Sequence, residues 1–252
     1  MSRSEPTQNN PHPCQRWFEW DGGKGGISYY DKGIKETVNV ALPFVFLYLD
    51  ETATIRGWHD SSQSGIMSNE VRDTRSDVMV VRAFKGGELC HGLYASIRDK
   101  VGNLGGHFST NLYLGFKDNG QLRLGCLQLK GAALNQWVEW KKANLKALST
   151  EAICIAEMKA GKKGSVNFQT PVFSTKPVSQ ETNDQAMELD KGLQAYLKAY
   201  FARTKTAQAE AVTPPPPAVD NGDDTDLGPV PKPAETAAAV EPAQAESGDV
   251  PF

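Results

Sequence analysis

The stretch that decides the fold is HFSTNLYLGFKDNGQLRLGCLQLKG, residues 107–131. Its centre is KDNG, residues 117–120, in which Asn119-Gly120 is the dipeptide that best accepts the backbone of a two-residue reversal. The segment therefore reads as a β-hairpin. On its N-terminal side, Leu89, Leu93, Ile97 and Val101 recur every four residues in LCHGLYASIRDKVGNLGG, residues 89–106. That spacing predicts a helix ended by Gly102 and the Gly105-Gly106 pair. On the C-terminal side, AALNQWVEWKKANLKAL, residues 132–148, predicts an amphipathic helix with Leu134, Val138, Leu145 and Leu148 on one face and Trp137 beside them.

Further out, strand signals dominate. QRWFEW (15–20) and ISYYDK (27–32) flank DGGKGG and read as a hairpin. VNVALPFVFLYLD (38–50) is a β-branched and aromatic run that Pro43 interrupts, which marks an edge or bulge. ETATIRGW (51–58) and DVMVVRAF (77–84) read as strands, the polar stretch between them as a loop with a short ordered piece, and KGGEL as a turn. EAICIAEMKAGKKGSVNFQTPVFSTKPV (151–178) reads as a last hairpin turning at AGKKG, and residues 183–205 as a last helix striped by Leu189, Leu193, Leu197 and Tyr200. Strands that dominate without alternating regularly with helices argue against a doubly wound parallel sheet. The expected fold is mainly β: a curved antiparallel sheet or barrel with appended α-helices. Expected boundaries are a flexible 1–14, the barrel domain at 15–178, a helix at 179–205 and a tail at 206–252.

The 252 residues are 39% hydrophobic and carry a net charge of −3 that is unevenly spread. Residues 206–252 hold nine carboxylates and one cation, Lys232, for a net −8, which leaves a net +5 on residues 1–205. The tail is built from Pro, Ala and acids and cannot bury enough apolar area to offset the entropy of ordering it, so it is expected to be disordered. A basic body joined to an acidic tail is a pattern of nucleic-acid handling. Cys14, Cys90, Cys126 and Cys154 show no CxxC spacing and read as reduced thiols. No apolar run reaches the ~20 residues of a membrane span, and residues 1–13 hold no signal-type segment. The expected location is the cytoplasm, with no membrane partner.

Catalytic motifs fail on spacing. In DGGKGGIS, Lys24 is followed by Gly25 and Gly26, so no hydroxyl is placed to reach a magnesium ion as in a phosphate-binding loop. His12, His59, His91 and His107 are scattered, with no metal-ligand spacing. The loop WHDSSQSG (58–65) groups His, Asp and Ser, but those residues in a loop act as turn formers and caps, and no G-x-S-x-G occurs. The expectation is a non-enzymatic protein without cofactor or metal.

What the body does carry is aromatics interleaved with cations. Flat side chains stack on unpaired bases while Arg and Lys follow the phosphates, a mixture that binds single strands with little sequence preference. The candidate DNA-binding residues are Arg16, Trp20, Lys24, Tyr30, Lys32, Arg56, Trp58, Arg72, Arg75, Arg82, Phe84 and Lys85, with Trp20, Tyr30, Trp58 and Phe84 as the stacking set. Alternation alone leaves open which sheet surface faces solvent.

A strand-rich body, an acidic tail and a final GDVPF (248–252) together resemble single-stranded DNA-binding proteins. The bacterial ones end in an Asp-Ile-Pro-Phe type tip, from which this one differs by a methylene at Val250. FEWDGGKGGISYYDK (18–32), LPFVFLYLDETATIRGW (42–58), SGIMSNEV (64–71) and LQLKGAALNQWVEWKK (127–142) are similar to a phage-encoded group of such proteins, over roughly residues 16–142. The resemblance implies an antiparallel barrel of the oligonucleotide-binding (OB) type, in a protein of the host cytoplasm that coats single-stranded DNA in replication, recombination or repair. It also implies that Asp249, Val250, Pro251 and Phe252 dock polymerase-, helicase- or nuclease-type partners. The body is larger than in bacterial members and the linker is Pro/Ala-rich. Their tetramer is therefore not carried over, and a homo-oligomer of another kind stays open. The rival readings are a recombination mediator or annealing protein and, from other classes, a nuclease or hydrolase and a structural virion protein whose tail only solubilises.

Overall fold

The decisive hairpin forms as two long strands, Gly106–Asp118 and Gln121–Lys130, with Asp118 opposite Gln121. Between them Asn119 and Gly120 take φ of 49° and 82°, the left-handed pair that a tight reversal matched to strand twist requires. The computed structural model describes residues 12–212, with side chains described as far as Thr204. In chain order the elements are β1 (Arg16–Trp20), β2 (Ile27–Asp31), β3 (Glu36–Val40), β4 (Phe44–His59), β5 (Ser64–Ser68), β6 (Met79–Ala83), β7 (Gly87–Gly92), α1 (Tyr94–Asn103), β8 and β9 (the hairpin), α2 (Gly131–Ala143), a 3-10 turn at Ala147–Ser149, β10 (Glu151–Lys163), β11 (Val166–Pro177) and α3 (Gln180–Val212).

The strands form one sheet in the order β3-β2-β1-β9-β8-β4-β5-β6-β7, with β10 added to the first residues of β4 and β11 to β10. The chain is mainly β as expected, but the sheet is open: among the described residues β3 and β7 do not pair with each other. Nor is it wholly antiparallel, because β1 runs parallel to β9. Helices supply the cover that a further strand pairing would give. Ile97 and Val101 of α1 close over Ile55, Ile66, Val71, Met79, Val81 and Cys90. Ala133, Leu134 and Trp137 of α2, with Ile153, Ile155 and Phe173 of the β10–β11 hairpin, close over Phe18, Phe46, Leu112, Leu114, Leu127 and Leu129. These two clusters lie on one surface of the sheet, the core face.

Several expected boundaries move. ETATIRGW does not start a new strand; β4 runs through 16 residues, with a register shift between Tyr48 and Asp50. Leu89–Gly92 is strand rather than helix, because Val81 pairs with Cys90 and the free edge of β6 outweighs the four-residue spacing. α2 stops at Ala143, where Asn144 Nδ2 bonds the Trp140 carbonyl at 2.8 Å. α3 overruns its expected end at 205 and stays helical to Val212, since TAQAEAV is rich in helix formers and Pro214 is the next strong stop. The body also starts before residue 15, with the His12 imidazole 4.6 Å from the Trp17 ring and 4.9 Å from Tyr196. The tail beyond Val212, including Asp249, Val250, Pro251 and Phe252, lies outside the described residues. Among the described residues, no helix is long and apolar enough to cross a membrane.

Candidate nucleic-acid interface

Register decides which candidates share a surface. Ser28 of β2 faces Glu19 of β1, Glu19 lies beside Gln128 of β9, Gln128 faces Asn111 of β8, and Asn111 faces Thr52 of β4. Side chains alternate along a strand, so Tyr30 lies on the side of Ser28, and Thr54, Arg56 and Trp58 on the side of Thr52. Trp58 faces Gly65 of β5, and Arg56 faces Met67, which faces Arg82 of β6. The Phe84 ring rests on Gly65: a Cβ there would meet Phe84 Cε2 at 2.9 Å, and the Phe84 N–H donates to the Gly65 carbonyl at 3.0 Å. Tyr30, Arg56, Trp58, Arg82 and Phe84 therefore all occupy the surface opposite the core face, the outer face.

The outer face has two parts. Over β9, β8 and the first half of β4, α3 covers it, with Leu193 and Leu197 packed on Tyr113, Leu124 and Cys126. The seam at the edge of this cover is polar. Glu70 accepts hydrogen bonds from Thr52 Oγ1, from Tyr113 OH at 2.7 Å and from Asn111 Nδ2 at 3.0 Å, while its own N–H donates to Tyr200 OH of α3 at 2.8 Å. Gln128 donates to Asn111 at 3.2 Å. Burial pushes the Tyr113 phenol far up, and the Glu70 carboxylate adds to that, so Tyr113 stays a donor. Burial lowers the His12 imidazole, against an opposing pull from Glu70.

Beyond the seam the outer face is bare. Phe84 is 70% exposed and Trp58 52%; Tyr30, 59% exposed, lies on β2, across the α3-covered strands from them. Arg56, Arg82 and Lys85 enter no ion pair among the described residues. The buried Nε of Arg56 has no hydrogen-bond partner there either. Glu88 sits opposite Arg82, but its carboxylate binds His91 Nδ1 at 2.7 Å. In the β4–β5 turn, His59 Nδ1 and Ser62 Oγ lie 2.8 Å apart and Ser62 and Ser64 2.9 Å apart. Ser64 Oγ accepts the Lys85 N–H at 3.1 Å, so these loop hydroxyls brace the strand ends that carry Trp58 and Phe84.

Other candidates are placed elsewhere. Trp20 is on the core face, 4% exposed, its indole N–H donating to the Gln169 carbonyl at 3.0 Å; it cannot stack on a base. Arg16 shares that face and is engaged by Asp118 at 3.2 Å and by the Tyr29 ring at 4.6 Å. Arg72 grips Asp50 through both terminal nitrogens, at 3.1 and 2.7 Å, and Gln194 of α3 at 3.1 Å, so it ties the helix down. Arg75 is paired with Asp73 at 3.0 Å. Lys24 and Lys32 are exposed in the turns that bound β2. The twelve candidates thus divide into an outer-face set of the half-buried Arg56 with the exposed Trp58, Arg82, Phe84 and Lys85, an outlying set of Lys24, Tyr30 and Lys32, and four residues engaged within the fold.

The structure adds members that sequence reading missed. Met67 lies between Arg56 and Arg82. His107 faces Arg56, and Lys130 faces Ser109. His107 and Lys130 continue into an open cleft of about 530 Å³ between α1 and α2, lined also by Tyr94, Arg98, Phe108 and Leu134 and by no carboxylate. The Asn119-Gly120 turn fixes the pairing of Ser109 with Lys130, so that placement was readable; the adjacency of His107 and Arg56 depends on a long-range strand pairing and was not. Among the described residues no group of three or more His, Cys, Asp and Glu side chains converges to hold a metal ion. No family model, no curated protein and no solved structure matches this chain.

Proposed function

We propose that the chain is a sequence-tolerant single-stranded DNA-binding protein that coats strands during replication, recombination or repair. In this reading the scaffold is an open relative of the oligonucleotide-binding sheet, and the bare outer face is its contact surface. Trp58 and Phe84 stack on bases, Tyr30 offers a further ring on the same side, and Arg56, Arg82 and Lys85 hold phosphates. One observation carries the reading: three exposed rings and two arginines that enter no ion pair among the described residues, from three segments of sequence, share the sheet surface opposite the core face. Isolated exposed apolar residues are ordinary on protein surfaces, but rings set between unpaired cations on one sheet form the arrangement that binds single strands. From the resemblance, Asp249, Val250, Pro251 and Phe252 serve as the docking tip for partner enzymes. Pro251 limits the freedom lost on docking, and the upstream acids favour basic partners.

A mobility-shift titration of labelled oligo-dT and oligo-dA against rising salt tests the reading. It predicts a shift at low ionic strength, similar for the two sequences and falling with salt as counterion release requires. No shift at low salt, or cleavage of the probe when magnesium is added, overturns it.

A further inference from the structure

The β10–β11 hairpin outgrows the sheet it belongs to. β10 pairs with β4 only at Ile153–Ile155; from Glu157 to Lys163 its one strand partner is β11. What projects is a two-stranded arm whose base is fastened to the β1–β2 turn. The Gln169 N–H donates to the Gly22 carbonyl at 2.7 Å, and Met158 Sδ and the Gln169 side chain fill the space beside Gly25. By alternation Met158, Ala160 and Lys162 face the turn, and Lys159, Gly161 and Lys163 face away from it. On that far side Phe168 is opposite Gly161, its ring so close that a Cβ at 161 would meet Phe168 Cε2 at 2.4 Å. The outward side therefore reads Lys159, a flat ring, Lys163. Glu157 is the one carboxylate on the arm, and Lys159, Lys162 and Lys163 enter no ion pair among the described residues.

The arm stands at the end of the sheet where the bare face runs out. Arg56 is beside His107, and His107 and Lys130 line the same cleft. Glu19 of β1 pairs with Gln128 of β9 in the parallel ladder, so, two residues on, Asp21 and Lys130 stand at the same end of these neighbouring strands, and the Lys24 N–H donates to Asp21 Oδ1 at 3.1 Å. Asp21 opens the turn on which Gln169 of the arm is seated. Basic side chains thus continue from the sheet face through His107, Lys130 and Lys24 to the arm.

We infer that the β10–β11 arm is a second contact for the same polynucleotide, taking phosphates on Lys159 and Lys163 and a base on Phe168 as the strand leaves the sheet. This rests on the single-strand reading above, and it makes the arm's contribution depend on strand length: a short strand occupies the sheet face, and a long one reaches the arm.

The test uses the full chain and oligo-dT of about 6 and about 30 nucleotides, at the low end of and well beyond the ~4–16 nucleotides one such fold covers. In the Lys159→Ala, Lys163→Ala double variant the salt dependence with the long probe falls by about 1.4 in log–log slope, the release expected for two single-strand phosphate contacts. With the short probe it is unchanged. Phe168→Leu keeps an apolar group over Gly161 but removes the ring, and weakens long-probe binding without changing the salt slope. Slopes equal to wild type at both lengths, or an equal fall at both, overturn the arm while leaving the sheet face standing. A wild-type chain that binds neither probe removes both.

Discussion

Trp20 and Trp58 look alike in sequence: each lies in a strand-forming run, near an arginine and before a turn. In the fold they are opposites. Trp20 lies among Phe18, Ile27 and Phe44 on the core face with its indole N–H satisfied; Trp58 stands on the outer face, beside Arg56 and level with Phe84. The arginines divide the same way, Arg72 clamped by Asp50 and Gln194 and Arg82 without an ion pair among the described residues. Residue type sets what a side chain can do. The sheet surface it falls on, and whether a carboxylate already holds it, decides whether it is available to a ligand.

The largest effect separates the two tryptophans by stability. Trp20→Ala removes a buried ring and is expected to cost about 3–5 kcal/mol in urea unfolding. Trp58→Ala is expected to leave the unfolding midpoint nearly unchanged. Next comes the polar seam: Glu70→Ala strips the partner from Tyr113, Asn111 and Thr52, and a buried donor left unsatisfied costs ~1–3 kcal/mol. That variant is expected to unfold earlier and to loosen α3, seen as faster hydrogen exchange around Tyr200. In binding the order reverses. Trp58→Ala or Phe84→Ala is expected to lose ~1–3 kcal/mol of oligo-dT affinity, the value of one stacked base. Arg82→Ala lowers the salt slope by ~0.7, whereas Arg72→Ala leaves it unchanged.

The smallest effect is the pH response of His12. Its ordinary value is 6.5, and burial lowers it in the fold. The unfolded chain therefore takes up the proton first. The contribution of this group is complete above about pH 6.5 and declines as pH falls through that value toward the lower one of the folded state. A His12→Phe variant flattens this part of a melting-temperature profile; an unchanged profile means the imidazole is not held neutral among Trp17, Tyr113 and Tyr196.

What was legible followed from local rules. Asn119-Gly120 announced its hairpin because two positive φ angles suit few dipeptides, and the stripe of Leu189, Leu193 and Leu197 announced α3 because a helix must bury one side. The parallel pairing of β1 with β9 and the open edges at β3 and β7 were not legible, because pairing between distant strands leaves no local period. For the same reason Arg16 and Trp20 read as site residues: nothing within QRWFEW shows that Asp118 and Gln169 wait for them across the fold. Arg56, Trp58, Arg82 and Phe84 were readable by type, but the surface they share emerged only from the register linking β4, β5 and β6.

Tryptophan emission during titration with oligo-dT at low ionic strength tests the central claim most directly, that the bare outer face takes the strand. Wild-type emission should be quenched, the quench should survive Trp20→Phe and should largely vanish in Trp58→Phe. A wild type that oligo-dT leaves unquenched, or a Trp58→Phe variant quenched as fully as wild type, contradicts the claim.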